Sequence, residues 1–357
     1  MCNFAAMKHL EIRNLGPLKE ADIELKRINI IIGSQSSGKS CVLKTACYCT
    51  WVEKRIELTQ TADFFAKDNN FLNELERFHK LKGYIKTDTF ISYESDFMSF
   101  SYDNTTKTFI FNWKEGRWNY RRTKVTYIPA ERNIVAAIPN WFQVKFADDN
   151  IRDFMADWET ARQATTNDLS VLNLGVSYHY DADTKSDRVQ VAGGVTLDFT
   201  NTSSGLQSII PLYVHLNYIF EKKKTKIESF ANIQEHNLLL AKLDEEDKKD
   251  VYSHFVHTHH CDIFLEEPEA NLFPPTQSNL VEWLLTMITG KHHSNLFIAT
   301  HSPYILNSFL EKQNMDITLL YTRIEEKMMI VKTASDQDIQ DIYDYGVDAF
   351  FNIETLG

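Results

Sequence analysis

Apolar and polar positions alternate from Leu10 and Ile12 through Ile23 and Leu25, then condense into Ile28-Asn29-Ile30-Ile31-Ile32. A period of two marks a half-buried strand, and a short unbroken apolar run marks a strand covered on both faces. The pattern predicts two strands joined by a turn at Gly16-Pro17, then a fully buried third strand. A glycine-bearing loop follows, and Cys41-Val42-Leu43-Lys44-Thr45-Ala46 begins a helix. Residues 51–85 are mostly helical in spacing. From Thr87 to Val125 aromatic and β-branched residues dominate, with turns at Asp103-Asn104 and Glu115-Gly116, which predicts a β-meander. A strand at Val125–Ile128 runs into Pro129-Ala130-Glu131-Arg132, residues 134–172 have helical character, and Val189–Phe199 alternates again. Thr202-Ser203-Ser204-Gly205 opens an apolar helix to Phe220, after which 221–254 is polar and charged and is expected to form exposed helices or an insertion. Ile263-Phe264-Leu265 and Leu296-Phe297-Ile298-Ala299 read as strands on either side of a helix near 276–288, as in a parallel α/β sheet.

Composition narrows the class. The 357 residues are 43% apolar and 24% charged, with few glycines, prolines and cysteines, which excludes disordered, collagen-like and disulfide-framed chains. A net charge of −11 leaves no whole-molecule positive field for nucleic acid or an anionic membrane. Five cysteines, Cys2, Cys41, Cys47, Cys49 and Cys261, lack paired spacing and suit a reducing compartment. No apolar run is long enough to span a bilayer, and the start lacks a signal-peptide layout, so a cytoplasmic location is expected. Met7 precedes the first regular pattern, which makes residues 1–6 an upstream start or a frayed end. There is no repeat, and no heptad series for a coiled coil.

Three motifs carry chemistry. Gly33-Ser34-Gln35-Ser36-Ser37-Gly38-Lys39-Ser40 fits G-x-x-x-x-G-K-[ST] between a strand and a helix whose first turn includes Cys41. Such a loop closes its amides around phosphate, Lys39 reaches the β- and γ-phosphates and Ser40 ligates Mg²⁺; the bland alternative is a serine-glycine turn before a helix. Ile263-Phe264-Leu265-Glu266-Glu267-Pro268-Glu269 ends a strand in acids, with Glu266 on the metal side and Glu267 as the base that directs a water. The alternative is an acidic turn, and Glu269 reads only as a solvated charge at a helix start. In Ala299-Thr300-His301-Ser302-Pro303 a strand-end histidine is placed to donate to the γ-phosphate, although a lone histidine is more often structural.

With these motifs in this order, and with LEIRNLGPLKEADIEL and YIPAERN, the chain resembles the ATP-binding-cassette ATPase heads related to chromosome-maintenance and recombination ATPases. It is most similar to the stand-alone prokaryotic group that includes the ATPase halves of overcoming-lysogenization-defect nucleases and of antiphage systems. The likeness covers nearly the whole chain, with 51–120 and 221–260 matching by position more than by residue. It implies an α/β head with a parallel or mixed P-loop sheet, an N-terminal antiparallel β subdomain and an inserted helical lobe. The expected organisation is one head over 1–357, with a nucleotide-binding lobe at 7–132, the helical lobe at 133–205 and the remainder at 206–357.

By the same resemblance ATP and Mg²⁺ are the cofactors, and ATP is sandwiched in a homodimer or higher oligomer. Ser203 and Gly205 stand at the family's signature and act in trans, which gives the site Gly33, Ser34, Gln35, Ser36, Ser37, Gly38, Lys39, Ser40, Cys41, Ser203 and Gly205 for nucleotide, Ser40 and Glu266 for metal, and Glu267 and His301 for catalysis. Departures are Ser204 where the family has glycine, Glu266 where aspartate is common, and Asn271 where the dimer-facing loop often has aspartate or histidine. Gln143 is the candidate for the glutamine loop, and Arg132 either approaches phosphate, anchors the adjoining lobe or pairs with an acid. The implied function is an ATP-hydrolysing switch that controls a separate effector protein in prokaryotic antiphage defence. Alternatives are the ATPase subunit of a transporter or of a DNA repair or maintenance complex, and a nucleotide-gated scaffold with little turnover.

Weaker signals are set aside. His257, His259, His260, His292 and His293 lack an acid or thiol to complete a metal set. Lys222-Lys223-Lys224-Thr225-Lys226 keeps nucleic acid among the candidate partners, although such a run is usually a wet face. Trp113, Trp118 and Tyr120 read as sheet packing, and Asp336, Asp338, Asp341, Asp344 and Asp348 as a helical surface without a nuclease arrangement.

Overall fold

The computed structural model describes residues 8–221, 254–255, 258–290, 294–312, 316–325 and 328–345. The early alternation becomes strands β1 (Lys8–Leu15), β2 (Leu18–Leu25) and β3 (Ile28–Ile32), followed by helix α1 (Lys39–Thr59). Short α2 (Asp63–Ala66) and α3 (Asn70–Phe78) lead to β4 (Ile85–Glu94), β5 (Met98–Asp103) and β6 (Thr108–Trp113), then β7 (Thr123–Ile128). After α4 (Ile134–Ala137) and α5 (Asn150–Ala164) come four short strands, β8 (Leu169–Ser170), β9 (Ser177–Asp181), β10 (Ser186–Val191) and β11 (Val195–Asp198). The chain continues through α6 (Ser204–Glu221), β12 (His260–Glu266), α7 (Pro274–Thr289), β13 (Asn295–Ala299), α8 (Pro303–Leu310), β14 (Ile317–Glu325), β15 (Met328–Thr333) and α9 (Asp336–Tyr345).

Eleven strands form one sheet in the order β6-β5-β4-β1-β2-β15-β14-β3-β13-β12-β7. The first five are antiparallel to one another, whereas β14, β3, β13, β12 and β7 run parallel. The fold is α/β with a mixed sheet, as expected. The antiparallel strands are continuous with the parallel ones, because β2 pairs with β15. Pleating sends alternate residues to two cores. Ile28, Ile30, Ile32, Ile263, Leu265, Leu296 and Ile298 face one layer with α5, α6, α7 and α8, while Ile31, Phe264 and Phe297 face the other with α1 and α3. A strand covered on both faces reads as a near-continuous apolar run, which is why Ile28–Ile32 and Ile263-Phe264-Leu265 were legible as buried.

Residues 133–205, expected as a helical insertion, contain α5 and also a separate four-stranded antiparallel sheet, β11-β10-β9-β8. Trp158 of α5, Tyr178 of β9 and Phe199 after β11 pack together and join this small sheet to the core. The meander expected to Val125 ends at β6, and β7 pairs with β12 at the opposite edge of the large sheet. The four described cysteines, Cys41, Cys47, Cys49 and Cys261, are free and buried. Among the described residues no helix is long and apolar enough to cross a membrane.

Candidate functional site

Parallel pairing brings the three motifs to one edge. β3, β13 and β12 are neighbours, with Ile31 opposite Ala299 and Ala299 opposite Glu266, so the residues that follow each strand emerge side by side. The Thr300 amide donates to the Ile31 carbonyl at 3.0 Å and the Glu267 amide to the Ala299 carbonyl at 2.8 Å, which extends the ladder into the turns. The carboxyl ends of parallel strands are where open α/β sheets bind ligands.

The loop 33–40 is shaped by its backbone. Ser36 and Gly38 take left-handed φ values of 60° and 88°, and Gly33 has φ 152°. A Cβ on Gly33 would stand 1.8 Å from Thr322 Oγ1 of β14, so only hydrogen fits. Thr322 Oγ1 in turn donates to Ser37 Oγ at 2.6 Å, pinning the loop to β14. The Lys39 ammonium donates to the carbonyls of Gly33 (3.0 Å) and Ser34 (2.6 Å), at the centre of the loop. Ser34, Gln35, Ser36 and Ser40 are exposed, while the side chains of Ser37 and Cys41 are buried. The Cys41 thiol lies in the core, where burial pushes it up to about 12, so Cys41 presents its main chain alone to the loop side.

Glu266 ends β12 buried, with Oε1 3.9 Å from Lys44 Nζ. Lys44 lies one turn beyond Ser40 on α1, so Ser40 and Lys44 share the helix face turned to Glu266. Glu267 is half-exposed and sits in the left-handed region at φ 43°, an uncommon conformation for a residue with a side chain. Its Oε1 is 3.6 Å from His301 Nε2. The close approach of His301, joined by the charges of Lys39 and Arg132, holds the Glu267 carboxyl below the usual carboxylate range.

Two residues that sequence reasoning left out of the site build it. Glu269, read as a solvated charge, accepts from Thr300 Oγ1 at 2.8 Å and from the His301 amide at 2.6 Å, and so ties the histidine turn to the acidic turn. Arg132 is completely buried. Its guanidinium donates to the carbonyls of Glu266 (3.0 Å), Glu267 (2.9 Å), Pro268 (3.3 Å), Ser208 (3.1 Å) and Pro129 (3.4 Å). Of the three roles open from sequence, these carbonyl partners select the anchor. A polar run immediately after the strand that flanks β12 was the available signal.

Ser203 is exposed and its Oγ accepts from the Leu206 amide at 3.4 Å, at the start of α6. Gln207 Nε2 donates to the carbonyls of Thr200 and Thr202, fixing the approach to the helix. Gly205 lies against the acidic turn, where a Cβ would be 3.1 Å from the Asn271 carbonyl, and Asn271 Nδ2 donates to Ser208 Oγ at 2.9 Å. Gly205 therefore packs against the turn 266–271 of its own chain, while Ser203 stays exposed at the helix start. Gln143 lies in an exposed turn, Trp141–Gln143, and among the described residues nothing bonds it to the site.

The remaining candidates fall outside the site. Among the described residues no group of three or more His, Cys, Asp or Glu side chains is placed to hold a metal, His259 and His260 included. Arg117 stacks over Trp113 and Trp118, and Tyr120 packs on Phe97 and Phe255. Asp338 accepts from the amide and hydroxyl of Ser335 at the start of α9, a capping role. His257, His292, His293, Asp348 and the run Lys222–Lys226 lie outside the described residues.

No family model matches the chain, and no curated protein matches it. Among solved structures it is similar to an SMC head domain from Thermotoga maritima, with 11% identity over 92% of this chain and 99% of that one and a TM-score of 0.45. It is also similar to an SmcHead bound to the C-winged helix domain of ScpA, with 11% identity over 94% and 99% of the two chains and a TM-score of 0.45. A third is the Pyrococcus furiosus Smc head domain with an extended coiled coil bound to the C-terminal domain of ScpA, with 9% identity over 95% and 98% and a TM-score of 0.46. At these identities and TM-scores the likeness assigns no residue a role.

Proposed function

We propose that the chain is an ATP-binding-cassette-type ATPase, a nucleotide switch that dimerises around ATP and Mg²⁺. The observation that carries this reading is the meeting, at one edge of a parallel sheet, of the loop 33–40 with its central ammonium, the buried Glu266 and the Glu267–His301 pair at 3.6 Å. ATP is the substrate. The loop amides and Lys39 bind its β- and γ-phosphates, with the start of α1 adding a favourable dipole. The Ser40 hydroxyl and the Glu266 carboxylate are hard oxygen donors on facing elements and fit Mg²⁺, which when bound neutralises charge developing on the phosphates. Glu267 orients and deprotonates the attacking water, and His301 steadies that carboxylate and donates toward the γ-phosphate. Ser203 and Gly205 of a second copy close the site from α6. The switch delivers its output to a separate effector protein, in a prokaryotic antiphage system; this biological setting rests on the resemblance of the motifs.

Two copies of the 41.5 kDa chain give a dimer of about 83 kDa. Lys39→Ala and Ser203→Arg are each expected to abolish turnover alone and to recover about a quarter of wild-type activity when mixed in equal amounts, because half of the random dimers carry one intact composite site. A mixture that stays inactive while both variants bind each other sinks the trans arrangement.

Burial pushes Lys39 down to about 8 against the pull of Glu267 and Glu269. A lowered value on a base means that the charge is lost as pH rises through it. ATP affinity, measured with a fluorescent analogue, is expected to be flat below pH 8 and to weaken by about tenfold per unit above it. Affinity unchanged to about pH 9.5 overturns the phosphate role of Lys39.

A further inference from the structure

We infer that Arg132 is a positioning residue that makes the placement of Glu267 depend on the start of α6, so that closure at Ser203–Gly205 is felt at the water-directing carboxylate. The inference rests on the ATPase reading and extends it. β12 ends at Glu266, and the chain turns through the left-handed Glu267. Residues held in such a conformation persist only where their surroundings fix them. Arg132 supplies that fixing from inside the fold, with Nη1 on Glu266 O and Nη2 on Glu267 O and Pro268 O. Its Nε donates to Ser208 O, one turn into α6 from Ser204 and Gly205.

A guanidinium is planar and rigid, so bonds from its separate nitrogens transmit a displacement that a flexible ammonium would absorb. The grip is doubled nearby, since Asn271 bonds Ser208 Oγ and its carbonyl faces Gly205. With carbonyls of three elements as partners and no exposure, Arg132 has no route to a phosphate and acts through Glu267.

The test is Arg132→Lys, which keeps the charge but cannot span Ser208 and the 266–268 turn together. Binding of a fluorescent ATP analogue is expected to stay within about threefold of wild type, while kcat falls by about 10- to 100-fold, the scale of a displacement near 1 Å at a reacting group. In wild type, hydrogen exchange at amides 205–210 and 266–271 is expected to change together when a non-hydrolysable ATP analogue is added; in Arg132→Lys only 205–210 should respond. Unchanged kcat in Arg132→Lys, with a wild type that hydrolyses ATP, overturns the coupling alone. Near-background turnover in both wild type and Glu267→Gln overturns the ATPase reading and the coupling with it. Should Arg132→Lys not fold, wild-type exchange decides the matter: a joint response of the two segments supports the inference and independent responses overturn it.

Discussion

Replacing Glu267 by glutamine is expected to lower steady-state ATP turnover by about 10²- to 10⁴-fold, the contribution of a positioned general base, with nucleotide affinity little changed. The substitution keeps the size of the side chain and its reach toward His301 Nε2, now 3.6 Å from Oε1, and removes the negative charge together with the capacity to take a proton. In the proposed switch hydrolysis opens the ATP-bound dimer, so the variant should also accumulate as an ATP-bound species near twice 41.5 kDa, read by native mass spectrometry with and without Mg²⁺-ATP. The pH profile supplies an independent check. His301 holds the Glu267 carboxyl below the usual carboxylate range, so the base is present above that depressed value and is lost only as pH falls through it. Wild-type kcat should therefore show no loss assignable to Glu267 between pH 5 and 7. Equal turnover in wild type and Glu267→Gln would sink the base assignment, and equal rates near background would favour a scaffold that only binds nucleotide.

What made the site legible was local. The loop 33–40, the acids after Leu265 and the histidine after Thr300 each directly follow an apolar run, and a buried strand announces itself by having no polar face. Their convergence followed from one rule, that parallel strands deliver their carboxyl ends to the same edge. Contacts made across the sheet were not legible. Nothing in the sequence of β14 shows that it lies between β15 and β3, yet that place is what puts Thr322 against Gly33 and Ser37. Glu269 looked like a solvated charge because a carboxylate after a proline usually is one; its partners, Thr300 and the His301 amide, are more than thirty residues away. Arg132 has the same character, with bonds to β12 and α6 that only the folded chain brings within reach. The small sheet of β8 to β11 was missed except for its last alternation, since strands of two to six residues give periodicity too little length to register.

Gly33→Ala is expected to damage both the fold and the site, and by a route that a general glycine argument would not anticipate. The new methyl would sit 1.8 Å from Thr322 Oγ1 and 3.0 Å from Ser37 Oγ. Thr322 cannot simply turn away, because that hydroxyl donates to Ser37 at 2.6 Å in a buried setting. Either the loop moves off β14 or a buried hydrogen bond breaks, at about 1–3 kcal/mol for the overpacking and a similar amount for the stranded hydroxyl. Thermal unfolding should fall by several degrees, and affinity for a fluorescent ATP analogue by more than about tenfold, since the displaced segment carries the Gly33 and Ser34 carbonyls that centre Lys39. Thr322→Ala in the same chain removes the atom of closest approach and leaves Thr322 Cβ at 3.0 Å, so the double variant should recover part of both losses. Gly38→Ala is the contrast: its methyl meets Leu18 Cδ2 at 2.8 Å and its left-handed φ of 88° strains a side chain, and Thr322→Ala should do nothing for it. Rescue confined to Gly33→Ala locates the effect at the β14 contact. A Gly33→Ala protein with wild-type melting and wild-type affinity would mean that β14 does not hold the loop, and the placement of Lys39 would need another cause.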